Sequence, residues 1–314
     1  MDKKNKLATR DAYGEVLVEL GSIDEHVVVL DADLSGSTRT AFFSKAFPER
    51  FFNMGIAEQD MIGTAAGLAC AGKKVFASSF AMFVSGRPWE MIRNSVAYPK
   101  LNVNIVASHA GITVGEDGAS HQALEDIAIM RAIPNLNVIV PADYYEVKEI
   151  IKYAAKIDEP FYIRFSRSAT PVVFNENYSF DPNAYPVLAE GKDVALLACG
   201  IMVAPALEAA EILAKENISA KVININSIKP VHIEQIVKIA KETKAFVTAE
   251  EHSIVGGMGS AIAEVLSQFF PVPMEFVGVK DTFGESGSPD DLIQKYKLTP
   301  KDIIEAVKKV IKRK

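Results

Sequence analysis

The densest set of side chains able to do chemistry lies in SHAGITVGEDGASHQALED, residues 108–126, which holds His109, Glu116, Asp117 and His121 on a glycine-rich loop. Imidazoles and carboxylates are the groups that take up and release protons near neutral pH, and loops carried on rigid sheets are where function usually sits. The same residues could instead form turns and caps, with Ser120 capping a helix that begins at His121. Glu58, in FFNMGIAEQDMIGTAAGLACAG (51–72), stands in the first turns of a helix otherwise rich in Gly and Ala. It is either an ordinary helix-start charge or an acid kept in a dry place for a chemical reason. Phe80 and Phe83, three apart at the head of a helix, share one face and serve either as core or as a platform for a planar heterocycle. No metal-ligand spacing, P-loop lysine or G-x-S-x-G elbow occurs. GGMGSA (256–261) opens a helix, where its glycines are expected to permit close packing rather than to cradle a phosphate.

Such groups need rigid elements to hold them. Short β-branched runs at 26–33, 74–80, 102–108, 137–142 and 160–166 alternate with helical patterns, which predicts strands buried on both faces of a parallel sheet. The rhythm breaks in the Pro-, Asn- and Asp-rich stretch that follows, then resumes with DVALLACG and MVAPALEAAEILAKE. The expected fold is α/β, with two domains, each a mostly parallel sheet flanked by helices: 1–172, a linker over 173–191, and a smaller domain over 192–314. Ligands of open α/β sheets sit beyond the carboxyl ends of strands. That directs attention to DADLSGSTR, SSFAMF and the loop after the third strand.

Composition narrows the classes further. With 49% hydrophobic and 24% charged residues, the chain is of ordinary globular make-up. Its net charge of -6, with lysine runs only at the ends, argues against a nucleic-acid binder. No apolar segment suggests secretion or membrane insertion, so a cytoplasmic protein is expected. Cys70 and Cys199 are read as small buried hydrophobes.

In combination, NMGIAEQDM, FASSFAMFVSGRPWEMIRNS, the GEDGASHQ loop and TAEEHSIVGGMGSAIAEVL resemble the second half of a transketolase, over almost the whole chain. The resemblance implies a pyrimidine-binding domain followed by the family's C-terminal domain. It also implies thiamine diphosphate as cofactor and transfer of a two-carbon ketol unit from a ketose phosphate to an aldose phosphate. By matching position, Glu58 would hydrogen-bond N1′ of the cofactor's aminopyrimidine, with burial among small residues raising its affinity for a proton. Phe83 and Phe80 would form the wall on which the pyrimidine stacks. His109 and His121 match sugar-contacting histidines, and Asp117 a group on a substrate hydroxyl. Arg10, Ser37 and Arg167 match the sugar-phosphate site, where guanidinium forks suit phosphate oxygens. Asp33 would lie near the cofactor or a subunit contact, and His252 matches no catalytic position. Gly86 stands where many members carry a tyrosine beside the pyrimidine.

The G-D-G…Asn pattern that holds Mg2+ and the cofactor diphosphate in this family is missing here. The resemblance therefore implies one subunit of a split enzyme, whose N-terminal partner chain binds Mg2+ and shares the cofactor in an α2β2 assembly. The β subunit of a 2-oxo acid dehydrogenase and part of a deoxyxylulose-phosphate synthase are the nearest alternatives. A non-catalytic assembly subunit of the same fold is a further one.

Overall fold

The apolar runs do become strands, and their order in space decides where a ligand can bind. The structure, a computed structural model, describes residues 5–314. Strand β1 (Lys6–Ala8) leads into the helix Thr9–Ile23, and there follow β2 (Val27–Asp31), β3 (Phe51–Asn53), β4 (Lys74–Phe80), β5 (Val103–Ser108), β6 (Asn137–Ile139), β7 (Phe161–Arg164) and β8 (Ala169–Pro171). Beyond them lie β9 (Val187–Ala189), β10 (Val194–Ala198), β11 (Ala220–Asn224), β12 (Ser227–Lys229), β13 (Phe246–Ser253) and β14 (Met274–Val279). The larger sheet runs β12-β6-β7-β5-β4-β2-β3, parallel except for β12; the second runs β14-β13-β10-β11-β9, parallel except for β9. Strands β2 and β5 are buried along their whole length, as runs of Val, Ile and Leu between two helix layers require.

Two elements cross the boundaries suggested by the sequence. Strand β12 comes from beyond the linker yet closes the edge of the first sheet against β6, and β9, within the linker, pairs antiparallel with β11. The join between the sheets is also polar. Glu146, fully buried in the helix Tyr144–Ala154, accepts from the Asn224 and Asn226 side chains and from the Tyr178 hydroxyl, each at 2.8 Å, and from the Ala142 N–H at 2.6 Å. One carboxylate thus ties together a helix, the linker and the second sheet.

Local expectations fail at three places. The helix expected from His121 begins only at Asp126, because residues 118–125 form turns in which Gln122 bonds loop carbonyls and Ala110 pairs with Ala123. Ser120 is therefore no helix cap; its hydroxyl meets His121 Nδ1 at 3.0 Å. The helix expected to be headed by Phe80 and Phe83 arrives in pieces, Ala81–Gly86, Trp89–Met91 and a π-turn at Ile92–Ala97, broken where Pro88 has no N–H to give. Cys70, expected to be buried, is exposed as the last residue of the helix Glu58–Cys70, ahead of the turn at Gly72; Cys199 is buried.

Candidate active site

Four strand ends of the first sheet converge on one place. At the end of β2, Asp31 is fully buried and accepts from the Leu34 N–H at 2.6 Å and from the Thr38 and Thr40 hydroxyls at 2.7 and 2.9 Å. This carboxylate is the template on which the turn 34–40 is wound, and the turn presents Ser37 and Arg39. Burial raises the proton affinity of Asp31, while its three donors act in the opposite sense. Arg10, in the first turn of the helix Thr9–Ile23, donates to the Ser37 carbonyl at 3.3 Å, and Arg39 donates to the Gly36 carbonyl at 3.0 Å. Two guanidiniums therefore grip neighbouring carbonyls of one turn. Asp11 holds Arg39 at 2.6 Å. Among the described residues the buried Arg10 Nε has no partner, so part of its hydrogen-bonding capacity is unspent there.

Strand β4 ends at Phe80 and β5 leads directly into His109. The two rings stack at 3.9 Å, with His109 only 2% exposed and held at a φ of 55°, where non-glycine residues are uncommon. Phe83 lies 5.9 Å from Phe80 in a stacked arrangement, and the His121 ring meets Phe83 edge-on at 5.1 Å. The expected aromatic pair thus forms a wall continued by both histidines. Burial, and then the charges of Arg10, Arg167 and Arg39, push the His109 imidazole down to about 3, so it is neutral at physiological pH. Ser108 Oγ lies 3.0 Å from its Nδ1.

Arg167 follows β7 and donates to the Val114 carbonyl at 2.8 Å, with the exposed Glu116 carboxylate 3.7 Å away. Arg167 and Arg39 both act electrostatically on Arg10 and on His109, so the three guanidiniums lie near one another on this side of the sheet. Arg39 was missed in the sequence because only the winding of its turn on Asp31 brings it beside Arg10. Asp117 is exposed in the loop beyond Val114. Asp33 is exposed too, exchanging hydrogen bonds with Asn53 at 3.1 Å rather than with the other candidate residues.

Glu58 corrects a sequence expectation. It is buried at 3% exposure, yet not as an isolated carboxyl among small residues: Arg87 Nη1 donates to both of its oxygens, at 2.8 and 2.9 Å. The same guanidinium lies over the Phe83 ring, 4.4 Å from its centroid. Arg87, the neighbour of Gly86, thereby links the carboxylate to the aromatic wall; sequence reading had no reason to pair residues 29 apart. Beside them an open cavity of about 690 Å3 is lined by Ile56, Ala57, Glu58, Gln59, Asp60 and Arg87. Along the same helix Gly67 is exposed, and a Cβ added there would meet no atom within 4 Å.

His252 is fully buried, 3.9 Å from both Asp126 and Glu250, and belongs to the interior rather than to the aromatic wall. GGMGSA packs as expected: a Cβ on Gly257 would stand 2.2 Å from Glu250 Oε2, and Glu250 accepts from the Met258 and Gly259 N–H groups at 2.6 and 2.9 Å. Among the described residues no cluster of His, Cys, Asp and Glu could hold a metal ion, and no helix is long and apolar enough to cross a membrane.

Comparison with known proteins adds an independent line. Residues 5–172 match the family described as transketolase, pyrimidine binding domain, and residues 184–303 the transketolase C-terminal domain. A chain of Methanocaldococcus jannaschii, assigned by its name to the C-terminal section of a transketolase, is 52% identical over 97% of this chain and 96% of its own. The 6-deoxy-6-sulfo-D-fructose transketolase subunit of a Clostridium species is 43% identical over 97% and 95%. Among solved structures, one titled as a split gene transketolase, inactive beta4 tetramer, superposes with a TM-score of 0.91 at 56% identity, over 98% of this chain and 99% of that one. The chain belongs to the transketolase family and comprises that family's pyrimidine-binding and C-terminal domains.

Proposed function

We propose that this chain is the C-terminal subunit of a two-chain, thiamine-diphosphate-dependent transketolase that moves a two-carbon ketol unit between sugar phosphates. The observation that carries the reading is the stacked aromatic wall of Phe83, Phe80 and His109, with the guanidiniums of Arg10, Arg39 and Arg167 close enough to act on His109. A flat heterocycle suits the wall, and an anionic group suits the guanidiniums. The family match and the relatives named as a C-terminal section and as a transketolase subunit support it.

The residues fit an aminopyrimidine. Half-buried Phe83 would offer its ring face once Arg87 moves off it, with Phe80 buried behind it against His109, and Glu58, at the edge of an open cavity, would offer a carboxylate to a ring nitrogen. The cofactor when bound supplies a carbon nucleophile and an electron sink for cleaving and forming carbon–carbon bonds. Glu58 would hold the proton shared with N1′, which requires Arg87 to release at least one of its oxygens. His109, neutral and with Nδ1 against Ser108, presents Nε2 to a sugar hydroxyl as donor or acceptor. His121, on the edge of Phe83, would bind a neighbouring hydroxyl, and Asp117 would close over the sugar from its exposed position. Arg10, Ser37 and Arg167, together with Arg39, would take the phosphate, with Arg167 exchanging its weak pair with Glu116 for it. Asp33 and its partner Asn53 would face the cofactor or the adjoining subunit.

Mg2+ and the cofactor diphosphate would be held by an N-terminal partner chain, in an α2β2 assembly. The test is ketol transfer from a ketose phosphate to an aldose phosphate in the reconstituted pair. Pyruvate decarboxylation in its place would assign the chain to a different reaction.

A further inference from the structure

The loop that carries Asp117 and leads to His121 is held from below by a residue of the other sheet. Glu251, near the end of β13, is 2% exposed, and its Oε1 accepts from the Thr113 N–H at 2.6 Å across 138 positions of sequence. The contact is built into the backbone of the loop. Gly111 has a φ of +80°, and a Cβ there would stand 2.2 Å from the Glu251 carboxyl carbon, so only glycine lets the carboxyl come this close. The strand itself is pinned by Arg164, which donates to the Glu251 carbonyl at 2.8 Å and to Asp126 at 3.0 Å, and by the Ser253 N–H, which donates to the Leu124 carbonyl at 2.8 Å. The segment after β14 closes the far side: Gln122 donates to the Glu285 carbonyl at 2.9 Å and to the Ile112 carbonyl at 3.2 Å, and a Cβ on Gly118 would stand 2.6 Å from Ser286 Oγ.

We propose that Glu251 is a positioning residue for the reaction, fixing the loop Gly111–Gly118 so that Asp117, His121 and the Arg167-bound Val114 carbonyl face the sugar together. The proposal rests on the transketolase reading for the identity of the sugar, but the mechanical role stands apart from it. Glu251 touches no candidate substrate position. Its carboxyl acts through Thr113, and among the described residues Oε2 has no hydrogen-bond partner. Burial pushes that carboxyl up to about 7, and in either protonation form Oε1 can accept from Thr113. The second domain thereby supplies the floor of the first domain's loop.

The test compares Glu251→Ala with Glu251→Gln, which keeps an acceptor oxygen. In the free chain, amide hydrogen exchange should quicken roughly tenfold over residues 111–118 in Glu251→Ala, the scale of one lost hydrogen bond, with strands β4 and β5 unchanged and Glu251→Gln near wild type. In the complex with the N-terminal chain, KM for the ketose phosphate should rise roughly tenfold in Glu251→Ala with kcat within a factor of about three, and recover in Glu251→Gln. Unchanged loop exchange in Glu251→Ala, or acceleration spread evenly over all strands, would overturn the proposal. A wild-type complex that transfers no ketol unit would sink the transketolase reading instead, and the exchange result would still decide the role of Glu251.

Discussion

At the scale of single residues, the site separates groups by environment more than by type. Two histidines line one wall, yet His109 is stacked, buried and under the charge of three arginines, while His121 is half-exposed at its edge. Because His109 gives up its proton affinity on folding, from an ordinary 6.5 to about 3, the unfolded chain binds the proton more tightly. Its contribution to stability is present above pH 6.5 and is lost as pH falls toward 3. His109→Asn should therefore flatten the acid limb of the urea-stability profile over that window, and it should also raise KM for the sugar without removing any limb of the activity profile between about pH 5 and 9. Glu58 poses the opposite case, a buried carboxylate whose partner is half in water. Glu58→Ala in the reconstituted enzyme should lower turnover by ~10²–10⁴-fold, while Tm shifts by only a few degrees, since a pair with a half-exposed arginine is worth about 1 kcal/mol or less.

At the scale of elements, the strands were legible because runs such as VVVLD and VNIVAS can be buried on two faces only inside a parallel sheet. The rule that ligands sit beyond strand ends then located three of the four converging segments. What the sequence did not disclose was how those segments are held. Nothing in the spacing of DADLSGSTR says that Asp31 turns inward to wind the chain while Asp33 points out to Asn53. The broken helix at Pro88 and the late start of the helix at Asp126 have the same origin: side-chain bonds and a missing N–H outweigh helical periodicity. Asp31 yields a direct check. Asp31→Ala removes three acceptor bonds and should cost roughly 2–4 kcal/mol in urea unfolding. It should raise KM for phosphorylated sugars more than for an unphosphorylated donor, because the turn it winds carries Ser37 and Arg39. Equal losses for both donors would place Asp31 outside the phosphate site.

At the scale of the whole molecule, the two sheets are joined by polar groups rather than by an apolar seam alone. Glu146 meets the linker and β11 from below, and β12 crosses to complete the first sheet. Pattern reading sees only the pause in hydrophobic rhythm and not that β9, inside that pause, pairs with β11, or that β12, beyond it, closes the edge of the first sheet. Glu146→Ala leaves Asn224, Asn226 and Tyr178 without their acceptor, and should destabilise the chain by roughly 3 kcal/mol or more, measured as a lower urea midpoint with one transition retained. The open cavity beside Glu58 and the exposed Gly67 on its helix are where the proposed N-terminal chain would sit. The direct test of the split-enzyme account is turnover of a ketose phosphate and an aldose phosphate by the purified chain with thiamine diphosphate and Mg2+, before and after adding the N-terminal chain. The account predicts no ketol transfer by the chain alone and full transfer on mixing; transfer by the chain without a partner would contradict it.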